Sequence, residues 1–235
     1  MSNKEQMPFY FEVPELPMPP FDLTQFLIPE DVREATALEA KSPEVALGKT
    51  RSNLANWYHS FIPYEGSKFN KRNPEAVGMY EEANLDLSKL LKEWLHDTLN
   101  VKFTHVVMLR TPAGLSGRWH TEGPTFHDRR CGLNFPMSGD FVNSKAQWAT
   151  FPRFKGVDPV EYDRMRHVSR DELPQAEILC EWTNQTVPGF QNTLHMHRGY
   201  NEESDIDRVI LTASVEDVCD IEVMHKKYMS GKLFK

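Results

Sequence analysis

The sequence predicts a mainly β domain of sandwich or barrel type with N-terminal helices, and three observations carry that reading. After Leu99 the chain breaks into short β-branched and aromatic runs separated by Gly, Pro, Asn and Asp, the texture of many short strands. Before it, one segment repeats its apolar residues at helical spacing. At 235 residues the chain can bury a full core, and β-rich domains of this length commonly stay undivided, so one domain over 1–235 is expected.

The elements follow in order. Prolines at 8, 14, 17, 19 and 20 hold the N-terminal arm extended, because proline fixes φ and cannot donate to a ladder. The arm is expected to wrap the outside of the domain. A weak helix is expected at 30–40, with Pro29 at or just before its first turn. The clearest helix is 85–99, where Leu87, Leu90, Leu91, Trp94, Leu95 and Leu99 form an apolar stripe opposite Ser88, Lys89, Lys92, Glu93, His96 and Asp97. Together 1–100 make the arm and supporting helices. Strands are expected at 101–110, 118–121, 130–137, 146–151, 177–183, 192–197 and 208–215, which defines a β core over 101–215. The charged, aperiodic stretch 152–174 reads as an insertion between strands. The tail 216–235 contains a possible short helix within 221–234.

With 27 Lys+Arg against 34 Asp+Glu the formal charge is −7, a balance that argues against general nucleic-acid binding and against anionic membrane surfaces. Cys131, Cys180 and Cys219 have no metal-binding or paired spacing, and the first 20 residues have no uninterrupted apolar run. A reducing, cytoplasmic location is expected.

Most of the nine histidines need no functional account. His59, His96, His167 and His225 lie in polar surroundings, and His105 sits mid-strand. In RWHTEGP, His120 and Glu122 are two apart, so on an extended strand both side chains project from one face. In QNTLHMHRGYNEESDIDR, His195 and His197 again share a parity. Two imidazoles and one carboxylate on a protein face make a three-ligand metal site with open positions, the donor set of non-haem Fe(II) oxygenases. Arg208 follows a polar turn and opens the next strand. A hairpin of that length would return its guanidinium to the same interior, where a planar fork suits a carboxylate. The plainer alternative is a surface arginine paired with Asp205 or Asp207. Other choices stay open: His127 or Asp128 could supply a ligand, and His195 competes with His197. Trp119, Trp148 and Arg118 could line a pocket, although buried core Trp is the commoner role.

In HTEGPTFHDRRCGLNFP and NTLHMHRGYNEESDIDR the chain resembles the 2-oxoglutarate- and Fe(II)-dependent oxygenases of the double-stranded β-helix fold, a jelly-roll, cupin-like architecture. The wording is most similar to the aspartyl/asparaginyl β-hydroxylase-like and prolyl-hydroxylase-like branches, and the likeness covers roughly 101–215. It implies that His120, Glu122 and His197 hold Fe(II), that Arg208 anchors the far carboxylate of the 2-oxoglutarate co-substrate, and that Asn134 lines the co-substrate pocket. It also implies use of O2 and hydroxylation of an unactivated C–H on a peptide side chain or small molecule. The sequence departs from the family pattern in carrying Glu122 in place of the commoner Asp, and in a long interval from His120 to His197. Two other classes remain open: a cupin-type metal-binding isomerase or dioxygenase with no use for 2-oxoglutarate, and a non-catalytic β-barrel binding module.

Overall fold

The structure, a computed structural model, describes residues 9–22, 57–62, 80–81, 85–111, 113–117, 119–121, 130–156, 168, 170–215 and 220–235. The expected helix at 30–40 lies outside them.

Strands β1 (Tyr10–Glu12), β2 (Trp57–Ile62) and β3 (Tyr80–Glu81) precede helix α1 (Leu85–Thr98). There follow β4 (Phe103–Thr111), β5 (Leu115–Ser116), β6 (Cys131–Ser138), β7 (Lys145–Thr150), β8 (Glu177–Trp182), β9 (Gly189–Asn192), β10 (His197–Asn201), β11 (Arg208–Val215) and helix α2 (Ile221–Met229). The larger sheet has the order β1-β9-β6-β11-β4-β2-β3 and the smaller β5-β10-β7-β8. From β4 onward the chain therefore distributes eight strands between two sheets, with sequence neighbours β4/β5, β6/β7, β8/β9 and β10/β11 always parted between them. Among the described residues, every pairing but the parallel β2–β3 pair is antiparallel. This is a jelly roll, the mainly β class expected.

One face of the larger sheet carries the apolar core. Val209, Leu211, Ala213 and Val215 of β11 join Cys131, Leu133 and Phe135 of β6 and Phe103, Val106 and Met108 of β4, beneath Leu91 and Leu95 of α1 and Ile221 and Met224 of α2. Each fully buried Leu of that set contributes about 1.5–3 kcal/mol relative to exposure. The helical stripe is narrower than its sequence pattern, since Leu90 is 50% exposed while Leu91 and Leu95 are sealed. The stripe centres on the 91/95/99 line, and Leu90 falls beyond its edge.

The opposite face of the same sheet looks into the space between the sheets. On β11 the alternate residues Arg208, Ile210, Thr212 and Ser214 point that way, all buried. A strand buried on both faces ordinarily reads as continuously apolar. Here three of the four inward residues are polar, so the sandwich interior is built to meet something polar.

Local differences from the sequence reading have physical reasons. The N-terminal arm is no outer wrapping: β1 adds to the edge of β9, and Tyr10 stacks on Trp182 at 4.7 Å and on Trp148 at 5.9 Å. Extended, proline-flanked chain suits an edge strand as well as a free arm. The run 192–197 divides into the end of β9 and the start of β10, because those halves pair in different sheets. The expected strand 118–121 is a single bridge, His120 to His197, after the two-residue β5. The 152–174 stretch does lie between β7 and β8, opening on a 3-10 turn at Pro152–Phe154. Among the described residues, no helix is long and apolar enough to cross a membrane.

Candidate functional site

His120 and His197 meet across the lip of the smaller sheet. Each backbone serves the other: His120 N–H donates to His197 O at 3.1 Å, and His197 N–H donates to His120 O at 2.9 Å. Their ring centroids are 4.4 Å apart at an interplanar angle of 47°. Two imidazoles ligating one ion at about a right angle, with metal–nitrogen bonds of about 2.1 Å, place their centroids about 4.5 Å apart, so the pair fits a shared metal.

His197 is also oriented. Its Nδ1 lies 2.8 Å from the carbonyl oxygen of His195. A carbonyl can only accept, so Nδ1 carries the proton and donates, and Nε2 is left with the lone pair a metal needs. The His195 ring sits edge-on against Phe9 at 5.2 Å, while its carbonyl meets Nδ1 of His197. His195 lies in a bend before β10 and not on the strand expected to carry both histidines.

The third expected ligand, Glu122, lies outside the described residues, as do His127, Asp128 and Arg118. Among the described residues, no group of three or more His, Cys, Asp or Glu gathers around a common point.

Arg208 enters the interior from the opposite sheet. The turn between β10 and β11 is a crossing from one sheet to the other, so the two strands face each other and do not form the expected hairpin. Gly199 makes room: a Cβ there would stand 3.0 Å from Arg208 Nη1 and 3.3 Å from Thr111 Oγ1. Gly199 is two positions along β10 from His197 and shares its face, about 7 Å away along the strand. The guanidinium therefore lies against the same face of β10 that carries the imidazole.

The charge state of this space follows from its hydrogen bonds. Asp207, one of the two partners weighed for Arg208, is held by Arg110, whose Nε donates to it at 2.6 Å, and by Ala113 N–H at 3.0 Å. Arg208 is 6% exposed and donates from Nη2 to Gln185 Oε1 at 2.8 Å, while its Nε has no acceptor among the described residues. Burial pushes the guanidinium down to about 10, which leaves it charged at neutral pH. Among the described residues it has no carboxylate partner. A buried cation without a counter-charge is costly.

Asn134 lies on β6 in register with Thr212 and with Gly189. It is buried, and its Oδ1, the hydroxyl of Ser214 and the carboxamide nitrogen of Gln185 all lack partners among the described residues. Trp148 is sealed with its Nε1–H on Asn192 O at 2.8 Å, which makes it a wall. Trp119 is buried on Phe151 and under Arg198, so it is core.

Gln185 and Gly199 are the residues the sequence reading missed. Gly199 was legible in principle, as a small residue two positions after a ligand-type His. Gln185 sits in the aperiodic loop TNQTVP and carries no local signal.

No family model matches the sequence, and no curated protein matches it either. Solved structures do. The epimerase SnoN, in complex with Fe3+, alpha ketoglutarate and nogalamycin RO, is 11% identical with a TM-score of 0.41, over 89% of this chain and 79% of that one. A Pseudomonas putida prolyl-4-hydroxylase is 13% identical with a TM-score of 0.32, over 80% of this chain and 88% of that one. The capsular polysaccharide assembling protein CapF from Staphylococcus aureus is 15% identical with a TM-score of 0.25 over 48% of this chain, which spans 24% of the CapF chain.

Proposed function

We propose that this protein is an Fe(II)- and 2-oxoglutarate-dependent oxygenase that hydroxylates an unactivated C–H of a peptide side chain or small molecule. The observation that supports it is a buried Arg208 with no carboxylate partner among the described residues, set against the face of β10 that bears His197 of the oriented His120–His197 pair. A non-catalytic barrel has no use for that charge, and a metal site without a diacid has none either.

In this reading His120, His197 and Glu122 hold the iron. The iron supplies the redox chemistry with 2-oxoglutarate and O2. The chain supplies placement. Arg208 grips the far carboxylate with a planar donor fork, and Asn134 and Ser214 offer polar atoms along the pocket. The His195 carbonyl holds the proton on Nδ1 of His197, so the imidazole presents Nε2 throughout. Trp148, Trp182 and Tyr10 stack into a wall that keeps water from the interior behind the site.

The test is an anaerobic titration of the iron-loaded protein with 2-oxoglutarate, followed by succinate detection once air is admitted. Binding and succinate are expected from the wild type. Arg208→Ala should lose roughly 30-fold or more in 2-oxoglutarate affinity, since a charged partner in a desolvated pocket is removed. His197→Ala and Glu122→Ala should each lose metal loading. Absence of both binding and succinate in an iron-loaded sample would overturn the proposal in favour of a cupin-type centre.

A further inference from the structure

We infer that Gln185 is a specificity-determining residue which, with Arg208, forms a buried two-donor fork that selects a planar, singly charged carboxylate over a tetrahedral dianion. The identity of the ligand rests on the 2-oxoglutarate reading above. The chemistry of the end that is gripped rests on the geometry alone.

Gln185 is completely buried in the connection between β8 and β9. The turn that aims it is fixed locally. Asn184 adopts a left-handed φ of 53°, which Asn tolerates better than most residues, and its N–H donates to Phe141 O at 2.8 Å. The carboxamide oxygen accepts from Arg208 Nη2 at 2.8 Å. A guanidinium can only donate, so the amide orientation is forced and the NH2 is left over. That Nε2 is buried without an acceptor, and so is Nε of Arg208.

Two buried donor groups tied to each other by a hydrogen bond, with no acceptor among the described residues, are a costly arrangement unless a ligand completes it. A carboxylate has two oxygens in one plane and four lone-pair sites, enough to accept from both. Charge narrows the choice further. The fork carries the single charge of Arg208, because Gln185 is neutral and Asp207 is engaged by Arg110 at 2.6 Å. A monoanion cancels that charge. A dianion such as a phosphonate leaves a buried negative surplus. Gln185 is thus the residue that completes the donor set while leaving the positive charge available, which Glu at the same place could not do.

The experiment uses the 235-residue protein, metal-free and Mn(II)-loaded, with three probes: 2-oxoglutarate, glutarate, which keeps the diacid chain without the keto group, and propane-1,3-diphosphonate, which keeps the chain length with a phosphonate at each end. Binding is read by calorimetry and thermal shift. The wild type should bind glutarate without metal, and the phosphonate at least about tenfold more weakly. Gln185→Ala should weaken both carboxylates about tenfold, the equivalent of one lost hydrogen bond to a charged group, and narrow the carboxylate-over-phosphonate ratio. Gln185→Glu should abolish carboxylate binding, by roughly 100-fold or more, while raising the melting temperature of the ligand-free protein, because Arg208 then has an internal partner. Unchanged affinity and unchanged ratio in Gln185→Ala would overturn the inference, as would glutarate binding of wild-type strength in Gln185→Glu. If Gln185→Glu does not fold, the ratio in Gln185→Ala decides. Gln185-dependent glutarate binding with no 2-oxoglutarate binding in the Mn(II) form would uphold the inference and remove the oxygenase reading. Turnover of 2-oxoglutarate with an unaltered ratio in Gln185→Ala would do the reverse. Failure of every probe to bind would remove both.

Discussion

Gly199 shows how one missing side chain shapes the interior. It lets the Arg208 guanidinium lie against β10, with the position of its absent Cβ only 3.0 Å from Nη1. The obstructing atom is the far end of a flexible side chain, so Gly199→Ala should leave the fold intact and displace the guanidinium by a few tenths of an ångström. Misplacing a charged, directional donor in a dry pocket should lower 2-oxoglutarate affinity about tenfold, with the melting temperature nearly unchanged. Calorimetry of the variant checks this, and an affinity equal to the wild type would mean that the fork has slack. At this scale the sequence was partly legible. His120, His197 and Arg208 are residue types that chemistry singles out, and their spacing brought them into view. That Arg208 has no carboxylate partner among the described residues was not legible, because Asp207 is its immediate neighbour in sequence and its pairing with Arg110 is made across β4 and the turn before β11.

Strands β9 and β8 decide how closely the N-terminal arm can approach. A Cβ on Gly189 would stand 2.7 Å from the Phe11 carbonyl and 2.7 Å from the Trp182 ring. Backbone cannot retreat as a side-chain tip can, so Gly189→Ala should cost about 3 kcal/mol and loosen β1 from the sheet edge. Urea unfolding and proteolysis of the arm would measure it. The smaller sheet carries a pH-sensitive element on its other face. A hydrogen bond from Gln147 is the first cause, and Lys145 a further one, holding the Glu181 carboxyl below its usual range against the opposing effect of burial. A carboxyl depressed in the folded state adds stability that is fully present above its unfolded value and is lost as pH falls through the lower folded value. Gln147→Leu should therefore be less stable than wild type at neutral pH, and the gap should shrink as pH falls below the ordinary carboxylate range and the folded-state carboxyl protonates. Denaturation midpoints at pH 7 and pH 3 compare the two, and an equal gap at both would assign the loss to packing. Because Glu181 is about a third exposed, the effect is modest.

For the molecule as a whole, the proposed co-substrate joins two sheets, one bearing His197 and the other Arg208. A ligand that binds only the folded state at about 100 times its Kd adds about 2.7 kcal/mol. For a domain of this size that corresponds to a rise of roughly 5–10 °C in Tm. Differential scanning fluorimetry should show this shift with Mn(II) and 2-oxoglutarate together, and Arg208→Ala should abolish most of it. A full shift in that variant would place the carboxylate elsewhere.

The sequence by itself determined the class of fold, the helix at Leu85–Thr98 and the strand Arg208–Val215, whose bounds match the sequence reading to within a residue. Those elements depend on period and on flanking breakers, which are local properties. It also determined the residue types of the candidate centre. The tertiary structure alone decided that the arm becomes a sheet edge, that 192–197 is divided between two strands, that the His195 carbonyl meets Nδ1 of His197, and that Gln185 lies against Arg208. Each of those depends on which strand becomes the neighbour of which, and in a jelly roll neighbours in space come from distant parts of the chain, so no local pattern records them.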